Sequence, residues 1–344
     1  MNIKKRIASL AVTASVILSC TAVSPESFIA HSANSEIISG GFVFKFTEDG
    51  ASLMVNSYTG ASAVVTVPQT VDGYTVTEIH QYAFYENETI TSVTLPDTIK
   101  VIGASAFGHC KNLETINMPS ELEIIDEYAF TTCHALEDVT FGDMVKSIGF
   151  CSFQLCINFD KVTIPGTVGT VVDHAFHGLQ GATEIRFGEG IHTIESGAVL
   201  NCYSVDRLYF PKTLTEIGDH SVAYSVWGNE YTPISNVVAF GSIETPALEY
   251  SLNSNFDFIP YEIGDINKSG DITASDASDV LSEYADVSTG EISSYDSKNK
   301  RKADVNFDGK ITPTDASEIL GYYAYTATGG ALEVHDYFYQ QYFG

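Results

Sequence analysis

Hydrophobic positions recur through the middle of the chain with a period of 23 residues. Ala-Phe stands at Ala83-Phe84, Ala106-Phe107, Ala129-Phe130 and Ala175-Phe176. Ser152-Phe153, Ala198-Val199 and Ser221-Val222 hold the same register. A second column runs Ile79, Ile102, Ile125, Ile148, Val171, Ile194 and Ile217. A third runs Val93, Ile116, Val139, Val162, Ile185 and Leu208, and Leu95, Met118, Phe141, Ile164, Phe187 and Phe210 follow two residues later. Residues two apart share one face of a strand, so Val93 and Leu95 point inward and Thr94 outward. Pro96, Pro119, Pro165 and Pro211 close these strands, because proline has no amide hydrogen for the ladder; Gly142 and Gly188 take that place in two units. The stretch Ile102 to Phe107 is expected to return as a turn or short helix. One unit cannot bury its apolar face alone. Stacked units can, which predicts a repeat solenoid with a parallel strand ladder and short helices or turns.

The units carry a resemblance. Cys110 to Phe130 (C-K-N-L-E-T-I-N-M-P-S-E-L-E-I-I-D-E-Y-A-F) resembles the leucine-rich repeats of the bacterial surface type, called BspA-like or Treponema-type. The resemblance covers residues 61–260. Gly41–Gly60, within a cap at 34–60, resembles that family's strand-and-turn start. Val237–Phe258 resembles its closing unit, in which a helix covers the open end. Ala182 departs from the usual Leu, and Asp219–Asn236 is an insertion with Tyr224, Trp227 and Tyr231.

Cys110, Cys133, Cys156 and Cys202 share a column in which Leu179 stands once. Adjacent turns could pair them as disulfides, or they could form a stack of buried free thiols acting as small hydrophobes. Leu179, having no partner, favours the stack. No C-x-x-C spacing marks zinc. Cys151 is expected outside the core.

Beyond the repeats, one pattern occurs twice, 39 residues apart. Calcium takes six to eight oxygens from loop positions 1, 3, 5, 7, 9 and 12, with Gly at 6 for the turn. Loop one supplies Asp265, Asn267, Ser269, the Asp271 carbonyl, Thr273 and Asp276, with Gly270 at the turn. Loop two supplies Asp304, Asn306, Asp308, the Lys310 carbonyl, Thr312 and Asp315, with Gly309. Two calcium ions are expected. Neutral Ser269 in place of Asp308 predicts weaker binding at loop one. Val280, Leu281, Tyr284 and Ile319, Leu320, Tyr323 then recur at helical spacing.

This pair resembles a dockerin over residues 261–330, with Asp-Ala-Ser at 276–278 and 315–317 in the ruminococcal, type I-like form. The resemblance implies a small all-α module with two EF-hand-like loops that plugs into a cohesin of a cellulosome scaffold. It implies cohesin contacts at Ala274, Ser275, Ser278 and Ser282 in one half, and at Pro313, Thr314, Ser317 and Gly321 in the other. Two binding orientations are possible, although Ala274-Ser275 and Pro313-Thr314 differ. The entering sides, Phe258–Ile263 and Asn299–Ala303, are too short or polar for good helices. Lys298, Lys300, Arg301 and Lys302 read as a solvated linker or a recognition patch. The tail at 331–344, with Tyr337, Phe338, Tyr339, Tyr342 and Phe343, reads as a clasp or a partner contact.

The N-terminus reads as a signal peptide over residues 1–33: Lys4, Lys5 and Arg6, an apolar run from Ile7 to Val23, then Ala30-His31-Ser32. A membrane anchor or a lipid on Cys20 are the alternatives. No later stretch is long enough to span a bilayer. Export would make the protein secreted, extracellular and cellulosome-associated.

Charge narrows the partners. The chain has 44 acidic and 17 basic residues, a net charge of -27. That argues against nucleic acid and against anionic membrane surfaces. Residues 34–260 hold 28 acids and 8 bases, so most of the charge lies on the repeats.

Glycoside hydrolysis needs two facing carboxylates on an enclosing scaffold, and no unassigned segment is domain-sized. G-x-S-x-G, H-E-x-x-H and P-loop spacings are absent. Glu114, Glu137, Asp138, Asp160 and Glu184 fall in variable, solvent-facing columns, and His174 and His177 lack a third ligand. The expectation is a non-catalytic recognition protein serving plant polysaccharide breakdown. The alternative is a cellulosomal enzyme or accessory factor with its active site on the repeats. The expected protein or polysaccharide ligand surface is the outward column Thr94, Asn117, Thr140, Thr163, Arg186 and Tyr209, together with Tyr224, Trp227 and Tyr231. Those last three either stack on sugar rings or pack over the repeat end.

Overall fold

A computed structural model describes residues 36–343, apart from 138. The expected signal peptide and Cys20 lie outside the described residues. The N-terminal strands Glu36–Ser39, Phe42–Phe46 and Leu53–Tyr58 pair antiparallel, and Leu53–Tyr58 then pairs parallel with Tyr74–Ile79. From there the chain coils, and each 23-residue coil can place two short strands on its neighbours.

One ladder carries the isoleucine column: Tyr74–Ile79, Val101–Ile102, Ile124–Ile125 and Ser147–Ile148, then Thr170–Val171, Thr193–Ile194 and Glu216–Ile217. The outer ladder carries the valine column: Val64–Thr66, Ser92–Thr94 and Thr115–Ile116, then Lys161–Ile164, Glu184–Phe187, Arg207–Tyr209, Val238–Gly241 and Asp257–Pro260. Among the described residues the β-solenoid thus has two long parallel ladders where the sequence spacing suggested one, and a short third pairing joins Val199–Leu200 to Val222–Trp227.

Between the ladders the chain turns without forming α-helices. Tyr82, Ser105, Tyr128, Cys151, His174 and His220, each 23 or 46 residues from the next, all adopt φ between 52° and 60°. A left-handed residue reverses the chain within one turn, leaving no room for the short helix that had been one option.

The core is a series of stacks in register. Phe84, Phe107, Phe130, Phe153 and Phe176 stack with centroids 4.8 to 5.4 Å apart and planes within 13°. The column thiols are free and buried. The thiols of Cys110, Cys133, Cys156 and Cys202 donate to the carbonyls of Phe84, Phe107, Phe130 and Phe176 at 3.0 to 3.5 Å. Cys151, on its left-handed turn, is buried too, but it stands apart from the packed core that holds the column thiols.

Helix α1, Pro246–Asn253, covers the end of the repeat core. Its Tyr250 hydroxyl donates to the Val222 carbonyl and accepts from the Val222 amide, both at 2.8 Å. The outer ladder runs one strand further, to Pro260, and the C-terminal helices cover it there. These are α2 (Ala274–Ser288), α3 (Ser297–Ala303), α4 (Pro313–Ala327) and α5 (Val334–Tyr342). A second core joins Tyr209, Val238, Phe240 and Ile259 of the array to Val280, Ile319, Val334 and Phe338 of the helices.

Candidate functional site

The twin loops fold alike. In loop one, Asp265 accepts from the amides of Ser269 (3.0 Å) and Gly270 (3.1 Å), and Asn267 accepts from Ser269 (2.9 Å). In loop two, Asp304 accepts from Asp308 (3.1 Å) and Gly309 (2.9 Å), and Asn306 accepts from Asp308 (3.1 Å). Gly270 and Gly309 turn at φ 88° and 79°, where a side chain would strain the backbone.

Each loop feeds a capped helix. Thr273 and Asp276 form a capping box on α2, and Thr312 and Asp315 form one on α4. Asp276 also accepts from the Ile266 amide at 2.9 Å, and Asp315 from Val305 at 3.0 Å. These two carboxylates therefore tie loop to helix. Among the described residues, no three His, Cys, Asp or Glu side chains converge as a metal cluster. The donor set is instead mixed: carboxylate, amide, hydroxyl and carbonyl oxygens, which suit a hard cation such as calcium. Burial raises the Asp304 and Asp315 carboxyls above their ordinary range, more than the surrounding hydrogen bonds lower them.

Val280 and Ile319 are buried between α2 and α4, whereas Leu281, Tyr284, Leu320 and Tyr323 are exposed. Ala274, Ser275, Ser278 and Ser282 on α2, and Pro313, Thr314, Ser317 and Gly321 on α4, all face solvent.

The basic run is a helix, not a linker. Asp296 caps α3 through the Asn299 amide at 2.7 Å, and Lys300, Arg301 and Lys302 fill its last turn, complementing the helix dipole. Lys302 is buried and donates its ammonium to the Asp265 carbonyl. Lys298 pairs with Glu244 of the array at 2.7 Å.

The tail clasps on two sides. Tyr337 of α5 packs against Tyr322 and Tyr325 of α4, at 5.2 and 5.0 Å. His335 and Tyr339 pack on Phe240 of the array, at 5.7 and 5.3 Å.

The expected ligand surface divides. Thr94, Asn117, Thr140 and Thr163 are exposed, although Asn117 bonds both the amide and carbonyl of Leu95. Arg186 is half-buried, pairing with Glu184 and lying 3.5 Å above the Tyr209 ring. Tyr209 is buried, stacked on Phe240 at 4.5 Å, because the C-terminal helices cover this end of the outer ladder. Tyr224 is buried too, with its hydroxyl on Ser254. The insertion is a hairpin of Val222–Trp227 and Glu230–Pro233. It leaves Trp227 90% exposed and Tyr231 47% exposed.

Sequence reasoning passed over a cleft beside this hairpin, bounded by His174, Gly197 and His220. These three are 23 residues apart, so their shared column was a readable signal.

The comparisons agree with this architecture. The model described as BspA type leucine rich repeat region matches at residues 69–177 and 123–242, and the dockerin type I domain model at 263–322. Neither is a catalytic domain. No curated protein matches the chain. A leucine rich repeat protein of T. pallidum is 25% identical, with a TM-score of 0.51, over 55% of this chain and 91% of that one. A leucine rich cell surface protein from Faecalibacterium prausnitzii is 24% identical, with a TM-score of 0.49, over 59% of this chain and 62% of that one. Among the described residues no helix is long and apolar enough to cross a membrane. The chain belongs to the BspA-type leucine-rich repeat proteins and carries a type I dockerin domain on its C-terminal side.

Proposed function

We propose that this is a secreted, non-catalytic binding protein, held on a cellulosome scaffold by calcium-dependent dockerin–cohesin binding. In this reading residues 1–33 direct export, 34–60 cap the array, 61–260 present a recognition surface, and 261–330 with the tail 331–344 form the plug. The observation that carries it is the duplicated loop and helix. Asp265, Asn267, Ser269, Asp271, Thr273 and Asp276 would hold one calcium ion, and Asp304, Asn306, Asp308, Lys310, Thr312 and Asp315 a second.

Bound calcium supplies positive charge that draws each loop's oxygens together. The chain's own residues do the rest: the two capping boxes fix where α2 and α4 begin, and Val280 and Ile319 hold them side by side. That leaves the small side chains from Ala274 to Ser282 and from Pro313 to Gly321 open to a cohesin. The small, uncharged character of these faces supports close approach of a partner surface.

The test is capture of cohesin with and without calcium, comparing the wild type with Asp265→Ala plus Asp304→Ala. Calcium-dependent capture that the double variant loses supports the reading. Undiminished capture by the double variant refutes it.

A further inference from the structure

We propose that the cleft between His174 and the hairpin is a binding slot for the pyranose ring of a neutral polysaccharide. This rests on reading the array as a recognition surface, and it names the ligand class.

The left-handed column explains how the slot arises. Tyr82, Ser105, Tyr128, Cys151, His174, Gly197 and His220 follow at 23-residue steps, one per coil. On the C-terminal part of the column rings meet along the surface: Tyr128 with Phe150 at 5.5 Å, Phe150 with His174 at 5.8 Å, and His220 with Tyr231 at 4.3 Å. At Gly197 the side chain is missing. Adjacent coils are ~4.8 Å apart, so the His174 and His220 positions stand ~10 Å from each other, with no side chain on Gly197 between them and the paired Asp173 and His174 side chains leaning over that glycine. The result is an open cleft of about 670 Å³. Ile194, Gly197 and Leu200 form its floor. His174 forms one wall, and the stacked His220–Tyr231 pair, only 16° from parallel, forms the other.

The chemistry of the rim selects the ligand. Asp173, Glu195, Glu216 and Asp219 border the cleft, with Thr193 and Ser196, and no Lys or Arg lines it. Two of these carboxylates are already engaged: Asp173 with the His174 ring, and Glu195 with the Asp173 amide at 2.9 Å. They act as fixed acceptors for hydroxyl groups more than as an open negative field. A sugar ring offers apolar C–H faces to the aromatic walls and hydroxyl donors to the rim. An anionic sugar would meet four carboxylates and be repelled. The ring stripe running on through Phe150 and Tyr128 offers further platforms, which suits a polymer better than a single sugar.

The test is native affinity electrophoresis of the full chain in gels containing mixed-linkage β-glucan, xyloglucan or galactomannan. Polygalacturonate and an oligo-lysine peptide serve as charged comparisons. The variants are Gly197→His and Tyr231→Ala. Gly197→His refills the column at some cost to the backbone, since Gly197 turns at φ 76° where His174 and His220 turn at 58° and 54°. An added Cβ there would stand 2.7 Å from the Asp173 carboxylate and 3.1 Å from the His174 ring, so the variant also displaces that wall, and Tyr231→Ala tests the slot independently from the other side. At least one neutral polysaccharide should retard the wild type, and each variant should weaken that binding tenfold or more. No retardation by any of the three, equal retardation of the variants, or binding to oligo-lysine alone would each overturn the proposal. Cohesin capture is run on the same samples. Intact capture without glycan binding defeats the slot alone, and glycan binding without capture defeats the attachment alone.

Discussion

The Cys133 thiol donates to the Phe107 carbonyl, 3.1 Å away and one coil back. The same bond repeats at Cys110 and Cys156, so the thiols act as lateral ties between coils. Desolvation raises all of these thiols, Cys110 and Cys202 to about 12. A thiol reagent needs the thiolate. The column cysteines are therefore expected to react with Ellman's reagent only after denaturant is added. Prompt reaction of the column cysteines in the folded protein would contradict this.

The phenylalanine stack makes a stability prediction. Phe130 is fully buried between Phe107 and Phe153. Phe130→Ala should cost ~3–5 kcal/mol. In a solenoid that loss falls on nearest-neighbour interfaces. Urea denaturation should show a lower midpoint, with Phe130→Leu falling between the variant and the wild type.

Calcium affinity should differ between the loops. Ser269 contributes a neutral hydroxyl where Asp308 contributes a carboxylate. Titration calorimetry is expected to resolve a tighter site that Asp304→Ala removes and a weaker one that Asp265→Ala removes. Ser269→Asp should tighten the weaker site.

Acid should loosen the tail. His335 lies among Tyr209, Phe240 and Tyr261, and burial lowers its pKa below the ordinary 6.5. Asp336 on its own helix and Glu333 at that helix's N-cap oppose that shift, while Arg186 and Lys212 across the interface reinforce it. For a base with a depressed folded pKa, the unfolded state binds the proton more readily. Stability is then full above pH 6.5 and falls as pH drops through the lower, folded value. Thermal melts between pH 7.5 and 5 should show this decline, and His335→Phe should flatten it.

Period and chemistry were legible in the sequence for different reasons. The isoleucine, valine and phenylalanine columns repeat because each coil must match its neighbour, so local spacing encodes the stack. The second ladder was hidden because its strands are as short as the two residues Ile124–Ile125. Helix α3 was hidden because Lys302 is buried by a contact with Asp265, 37 residues away, that no local pattern announces. Tyr209 failed as a surface residue for the same reason: its cover comes from residues such as His335, more than a hundred positions later. The turns and caps of the twin loops were readable because the turn glycines, the carboxylates that accept from the loop amides and the helix caps all lie within one short segment.

The outer ladder ends at Pro260, and Ile263 is already inside the second core. There is no slack between the two parts, and α5 braces them from the far end. A flexible tether would let the array sweep a volume around its anchor. A braced joint gives it one heading instead, so whatever grips the helices also aims the array. Simultaneous engagement of both ends would then depend on geometry rather than on reach, and a target fixed at the wrong angle would gain nothing from being held nearby.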